Sequence, residues 1–289
     1  MQSIEDKYHL GKEIEKGSQG SVISALEIET QRGVAIKIFD ISTASGVAGF
    51  ATEHAIHSIM KGKSKYTCKV IESLQIPNQL GFIVMEKYAQ DLFSFSFIKN
   101  AKRSEKQTKF IFKRICKGVL DLHRQGVAHL DIKPENILMN EDKVPHICDF
   151  GHAYYVDIKN KKYLSKKSRK ATVDNLKGRG TRRYAAPEVF GEDAFSPFHA
   201  DVFSLGILLH ALLTGYYPTD TLTMGLNLQP AKEQLSVDCF ELMSSMLRQK
   251  PSRRPSIEQV LHHKWLKSKR SKKAVAFSFA KGFQLTPTH

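Results

Sequence analysis

His129-Leu130-Asp131-Ile132-Lys133-Pro134-Glu135-Asn136 is followed, twelve residues later, by Cys148-Asp149-Phe150-Gly151. Two short segments therefore carry a base, a lysine, an amide and a second carboxylate at fixed spacing. Asp131 can accept a proton from an attacking hydroxyl. Asn136 and Asp149 supply hard oxygen ligands suited to Mg²⁺, an ion that in turn binds nucleotide phosphates. The chemistry this pattern supports is phosphoryl transfer.

The chain around these segments is 289 residues long, enough for one large domain or two small ones. Its 41% hydrophobic and 25% charged content are ordinary for a soluble globular protein. The opening residues, Met1 to Lys7, contain neither the apolar core of a signal peptide nor a myristoylation glycine. The longest mostly apolar run, Phe203 to Leu213, is about half of what a membrane span needs and reads as a buried helix, so no membrane span is expected. Cys68, Cys116, Cys148 and Cys239 are scattered, which suggests reduced thiols and a cytoplasmic or nuclear setting.

The net charge of +15 is concentrated. Gly151 to Arg183 holds eleven Lys/Arg against two Asp, and His262 to His289 holds seven Lys/Arg and no acid. The remaining residues carry 26 basic and 27 acidic side chains. Two local segments thus supply all of the basicity, which points to localised recognition of something acidic.

Tyr8 to Glu15, Gly20 to Glu29 and Val34 to Phe39 have the short β-rich character of strands, as do Lys69 to Leu74 and Phe82 to Met85. Phe50 to Met60 has helical apolar spacing. From Gln107 onward the pattern is mostly helical, with Ile111, Ile115, Val119, Leu120 and Leu122 on a stripe leading to His129. Phe203 to Leu213 and Cys239 to Leu247 repeat that signal.

The ordered set of Ile14-Glu15-Lys16-Gly17-Ser18-Gln19-Gly20-Ser21-Val22, Val34-Ala35-Ile36-Lys37 and the two segments quoted first resembles the eukaryotic-type protein kinase family. The resemblance covers Leu10 to Leu266, nearly the whole chain. It implies an α+β, two-lobed fold, with a small β-rich lobe bearing one main helix and a larger, mostly helical lobe. The expected divisions are residues 1–86 for the nucleotide-binding lobe, 87–268 for the catalytic and substrate-binding lobe, and 269–289 for a basic tail. A hinge is expected near Glu86 to Ala89.

The same resemblance assigns ATP and Mg²⁺ to the site. Ile14 to Val22 matches the loop that covers the phosphates, where glycine allows tight turning and close backbone approach. Gly17 and Gly20 match the second and third glycines of the family pattern. Glu15 replaces the first, and Gln19 stands at the tip in place of an aromatic residue. A carboxylate near phosphates is mildly unfavourable. Lys37 matches the phosphate-contacting lysine and Glu53 the helix carboxylate that holds it. Ile14, Val22, Ala35 and Leu138 would sandwich adenine, with Met85 as gatekeeper, Glu86 and Tyr88 on the hinge and Cys148 beneath. Asp131 is the implied base and Lys133 the stabiliser of transferring charge, while Asn136 and Asp149 hold the metal. Glu188 with Arg254, and Asp201, match structural elements of the large lobe. His57, where kinases usually bury an aliphatic residue, is expected as a satisfied core histidine.

Lys133 two residues after Asp131, together with Thr181, resembles Ser/Thr kinases. His-Leu-Asp occurs in the calcium/calmodulin-dependent group, near the death-associated and myosin light-chain kinases. Most kinases have arginine where Leu130 stands, paired with a phosphate at the position of Lys177. The loss of both partners implies activity without phosphorylation there. Glu135 and Asp91 match acids that favour basic substrates. Against them, Arg182, Arg183 and the basic segment favour acidic or already phosphorylated ones. The basic and aromatic stretch from Trp265 through Phe283 suits calmodulin or another acidic partner, although Trp265 itself is expected to close the last helix of the large lobe. The rival reading is a pseudokinase scaffold that binds nucleotide or partner without turnover. A nucleic-acid-binding module would explain the charge but none of the motif order.

Overall fold

The computed structural model describes residues 4–17, 20–98, 104–157, 176–193, 195–221 and 225–267. A helical turn, α1 (Ile4–Lys7), leads into β1 (Tyr8–Gly17), β2 (Gly20–Glu27) and β3 (Gly33–Asp40). Then come α2 (Ala44–Met60), β4 (Val70–Ile76) and β5 (Leu80–Glu86). The five strands form one antiparallel sheet in the order β1-β2-β3-β5-β4.

Alternation along β3 decides which way the site faces. Successive side chains of a strand point to opposite faces. Val34 and Ile36 join Tyr8, Phe82 and Val84 in a core confined to the small lobe. Ala35 and Phe39 belong instead to the main core, which continues into the helical lobe. Lys37 lies between these two in the alternation, so its buried side chain points towards that second lobe.

Strand ends differ from the sequence-based limits by up to two residues. The helix differs more: α2 begins at Ala44, six residues before Phe50. Thr43 caps it by accepting the Gly46 N–H through its hydroxyl. Its first turn is largely exposed, so apolar periodicity carries no signal there.

The large lobe opens with β6 (Gln90–Asp91) and α3 (Glu105–Arg124). Ser104 and Gln107 start α3 with a capping box, and Ile111, Ile115, Val119 and Leu122 bury its inner face. Short strands β7 (Val127–Ala128), β8 (Ile137–Met139), β9 (Pro145–Ile147) and β10 (Tyr154–Tyr155) carry the loops of the site. They are followed by α4 (Pro197–Thr214), the strand pair β11 (Thr219–Thr221) and β12 (Gly225–Asn227), and helices α5 (Gln229–Gln234), α6 (Val237–Met246), α7 (Ile257–His262) and α8 (Lys264–Lys267). By length and composition alone α4 could cross a membrane, but 83% of it is buried inside the protein. It is the core helix of this lobe, as its apolar run suggested. Trp265 is buried beside Phe112, with its indole N–H donated to Glu105.

Arg254 ties the lower part of this lobe together. Its fully buried guanidinium grips the Glu188 carboxylate with both terminal nitrogens, one at 2.8 Å, and also donates to the carbonyls of His199, Arg248 and Gln249. Removing one partner of such a pair leaves a poorly solvated charge behind, at about 3–5 kcal/mol. Arg254→Ala is therefore expected to lower unfolding free energy by about that amount in urea titrations, with a matching fall in Tm. A change below about 1 kcal/mol would mean water replaces the guanidinium at Glu188.

Candidate active site

Lys37 is the meeting point of the two lobes. Its Nζ lies 2.6 Å from Glu53 Oε2 on α2 and 2.7 Å from Asp149 Oδ1. Burial on its own would lower the ammonium pKa, but the two carboxylates outweigh it and hold Lys37 above the ordinary lysine range. Burial likewise works to raise the Asp149 carboxyl, and Lys37 reverses that, so Asp149 stays below the ordinary carboxylate value.

Asp201 positions the second half of the site from below. This carboxylate is fully buried on α4 and accepts the backbone N–H groups of His129 at 2.8 Å and Leu130 at 2.7 Å. His123 Nε2, at the end of α3, sits 2.8 Å from the same carboxylate. Under these ties Leu130 adopts φ 62°. The His129 ring then joins the two motif segments. Its Nδ1 accepts the Asp131 N–H at 3.2 Å, so Nε2 carries the proton donated to the Cys148 carbonyl at 2.9 Å.

Asp131 is nearly buried and closely held. Its Oδ1 accepts the Thr181 N–H at 2.7 Å, and its Oδ2 lies 2.9 Å from Asn136 Nδ2 and 3.0 Å from Lys133 Nζ. Lys133 also donates to Thr181 Oγ1 at 2.9 Å. Burial pushes the Asp131 carboxyl up, but Lys133 and the Thr181 hydrogen bond overcome it, leaving the group below its ordinary range.

Asn136 spends its amide N–H groups on the carbonyl and the carboxylate of Asp131, both at 2.9 Å. Its amide oxygen remains as a hard acceptor, and the Asp149 carboxylate is ionised beside Lys37. That donor pair fits Mg²⁺ shared with nucleotide phosphates. Among the described residues there is no group of three or more His, Cys, Asp or Glu that would cage a metal without such help.

The residues expected to face a nucleotide divide. Across the sheet Val22 lies opposite Lys37 and Ala35 opposite Met85. Val22 and Leu138 pack against the core that holds Ala35 and Met85. Ile14 is 54% exposed, and Glu15 and Lys16 are exposed beside it. Gly17 pairs with Gly20 at the loop end, next to Ser21, while Ser18 and Gln19 lie outside the described residues. Gly20 has φ 135°, and a Cβ there would meet the Ile38 carbonyl at 2.0 Å, so only glycine fits. On the hinge, the Glu86 carboxylate is taken by Arg32 at 2.7 Å, and the Tyr88 ring lies 4.7 Å from that of His146. The Glu86 N–H is donated to the Lys69 carbonyl at 3.0 Å and the Ala89 N–H to the Met139 carbonyl at 3.1 Å.

One expectation changes. His57 is buried with its ring 4.9 Å from that of Phe150, but it is not satisfied: Nε2 has no hydrogen-bond partner and sits 3.8 Å from Glu53 Oε1. Helical spacing placed it correctly without revealing its polar surroundings. Trp265 is buried in the last described helix, as expected, and residues 268–289, which carry the rest of the basic and aromatic stretch, lie outside the described set. Cys148 is a packed thiol whose pKa burial pushes well up, so it is no ready nucleophile.

Sequence reasoning missed His123, Arg32, His152 and Arg179. The only local hint was at His123, six residues before the quoted segment on the helix aimed at it. Arg179 and His152 join the two ends of the segment between Asp149 and Thr181.

The sequence model of the protein kinase domain matches residues 8–266. The maternal embryonic leucine zipper kinase of Xenopus tropicalis is 28% identical over 267 residues, covering 90% of this chain and 39% of that protein. That of Xenopus laevis is 27% identical over the same shares. The serine/threonine-protein kinase SRK2A of Physcomitrium patens is 30% identical over 279 residues, covering 90% of this chain and 74% of that one. The chain thus spans about two-fifths of the length of the leucine zipper kinases. With a five-stranded lobe, a helical lobe and the joined motif segments between them, this chain belongs to the protein kinase family.

Proposed function

We propose that the chain is an ATP- and Mg²⁺-dependent Ser/Thr kinase that transfers the γ-phosphoryl group of ATP to a hydroxyl of a protein substrate. One observation carries this reading: Lys37 joined to Glu53 and Asp149, with Asp131 held by Lys133, Asn136 and Thr181 across the bridging His129. Both halves of a phosphoryl-transfer site are set in one conformation. That arrangement supports turnover over a scaffold that only binds.

In this reading Lys37 orients the phosphates and Asp131 aligns the acceptor hydroxyl, taking its proton as the new O–P bond forms and the bond to the ADP oxygen breaks. Lys133 meets the charge on the transferring group. Asn136 and Asp149 would hold Mg²⁺, which supplies charge neutralisation at the phosphates. The Lys133–Thr181 contact supports Ser/Thr acceptors. His129-Leu130-Asp131 supports kinship with the calcium/calmodulin-dependent group. Leu130 is buried among apolar side chains and offers no cation to a phosphate, while Lys177 occupies the usual phosphorylation position. Activity without phosphorylation there follows.

For substrates we propose acidic or already phosphorylated stretches. Exposed Arg182 and Arg183 directly follow Thr181, with the Arg183 guanidinium 4.8 Å from the centre of the Tyr217 ring. The division into lobes 1–86 and 87–268, a tail 269–289 open to calmodulin or an acidic partner, and a reducing cytoplasmic or nuclear setting complete the proposal. The four free, buried thiols support that setting.

Labelled ATP with Mg²⁺ and a degenerate Ser/Thr peptide array test the core of it. Wild type is expected to label acid-rich peptides before and after phosphatase treatment. Asp149→Asn should be silent, and Asp131→Ala should lose about 10²–10⁴-fold in kcat. Equal labelling by wild type and Asp149→Asn would refute the site, and silence of folded wild type would leave a scaffold.

The pH profile is a separate check. Since Asp131 is depressed in the folded protein, the base is ionised throughout the neutral range, and protonation removes it only at lower pH. Short-time kcat/KM is expected to hold flat on the acid side until below about pH 4, the ordinary aspartate value. An acid limb centred above about pH 5 that persists when His152 is replaced by asparagine would contradict the assignment.

A further inference from the structure

The segment running from Asp149 to Thr181 must present Thr181 to Asp131, and no phosphate-binding arginine precedes Asp131 to hold it. Three consecutive residues do the holding instead. Arg179 donates one guanidinium nitrogen to the carbonyls of His152 at 3.1 Å and Ala153 at 3.0 Å. Gly180 donates its N–H to His152 Nδ1 at 3.3 Å. Thr181 donates its N–H to Asp131 Oδ1 at 2.7 Å. The C-terminal end of the segment is thereby tied to the residues just after Gly151, and those are fixed in turn by pairing of Tyr154 with Ala128 and by the Val156 N–H on the Gly126 carbonyl at 2.7 Å.

Packing leaves this path little freedom. Gly180 has φ 83°, and a Cβ there would come within 2.2 Å of the Leu130 carbonyl. Arg179 is only partly exposed, so its hydrogen bonds are partly shielded from competing water. Accepting at Nδ1 requires a neutral His152, and burial holds that imidazole below the ordinary histidine range. By contrast, among the described residues Lys177 has only a 3.9 Å approach to the largely exposed Glu192, a contact worth little.

We propose that Arg179 and His152 form a built-in latch that joins the two described ends of the activation segment, residues 152–153 and 179–180, and positions Thr181 against Asp131 in place of a phosphate. Both are positioning residues, since neither touches the reacting atoms. The inference rests on the kinase reading above and adds two residues to it. Charge at residue 177 is dispensable to the two bonds that tie Arg179 to His152 and Ala153, because both acceptors are main-chain oxygens that no kinase or phosphatase can add or remove.

The test compares phosphatase-treated wild type with Arg179→Ala, Arg179→Met, Arg179→Lys, His152→Phe and His152→Asn. Each is measured for kcat, peptide KM, Tm and affinity for a fluorescent nucleotide. Arg179→Ala and Arg179→Met should lose about tenfold or more in kcat, with nucleotide affinity within about twofold of wild type. Lysine at residue 179 can reach only part of the carbonyl pair and should recover part of the rate. Asparagine at residue 152, with an acceptor oxygen near the place of Nδ1, should retain more activity than phenylalanine. Wild-type kcat in Arg179→Met overturns the latch alone. Equal losses in Tm, nucleotide affinity and kcat overturn it too, as they mark a merely structural residue. Failure of wild type itself to phosphorylate any peptide overturns the kinase reading and the latch together.

Discussion

Everything at the centre of this protein hangs from one carboxylate that water does not reach. Asp201 sits on α4 at the bottom of the large lobe and accepts two backbone N–H groups and a histidine nitrogen. A buried carboxylate with unfilled lone pairs would be strongly destabilising, so its partners are held as firmly as it is. Those partners are consecutive residues of the loop that carries Asp131. The most buried helix in the lobe therefore dictates where the base stands, and it does so through main-chain atoms that side-chain changes at residues 129 and 130 leave in place.

Fixing a loop this way has a conformational cost. Leu130 at φ 62° and Asp149 at φ 60° occupy the left-handed region that side chains other than glycine rarely adopt. Each costs of order 1–3 kcal/mol and persists only where the surroundings over-determine it. At Leu130 the surroundings are Asp201 and apolar packing. At Asp149 they are Lys37 and the packing of Phe150 between His57 and His129, at ring distances of 4.9 and 5.4 Å. Lys37 completes the arrangement, since it can satisfy Glu53 and Asp149 together only when α2 and the large lobe approach from opposite sides.

Much of this was legible in the sequence because it is written locally. Lys37 is named by its neighbours in β3, and Asp131, Lys133 and Asn136 by theirs, so a motif with fixed spacing locates them all. Contacts between distant residues leave no such trace. Arg179 bonds to residues 26 and 27 positions away, Arg32 to one 54 away and His123 to one 78 away, and each looks like an ordinary surface residue in the sequence. The start of α2 was missed for a different reason, since its first turn faces water and shows no apolar periodicity. His57 was placed by periodicity, but spacing says nothing about whether a ring nitrogen will find a partner.

Leu130 shows how the two kinds of information combine. As a letter it marks only a missing arginine, and an incomplete motif is equally consistent with a dead enzyme. In the fold its side chain is 4% exposed within the main core, while its N–H is spent on Asp201 and its carbonyl lies against Gly180. An arginine there would need an acidic partner to justify leaving water, whereas leucine gains from burial what the arginine would lose. The departure from the family pattern is thus compatible with a closed site, because the ordering contribution has moved 49 residues along the chain, from Leu130 to the Arg179 guanidinium that rests on backbone carbonyls.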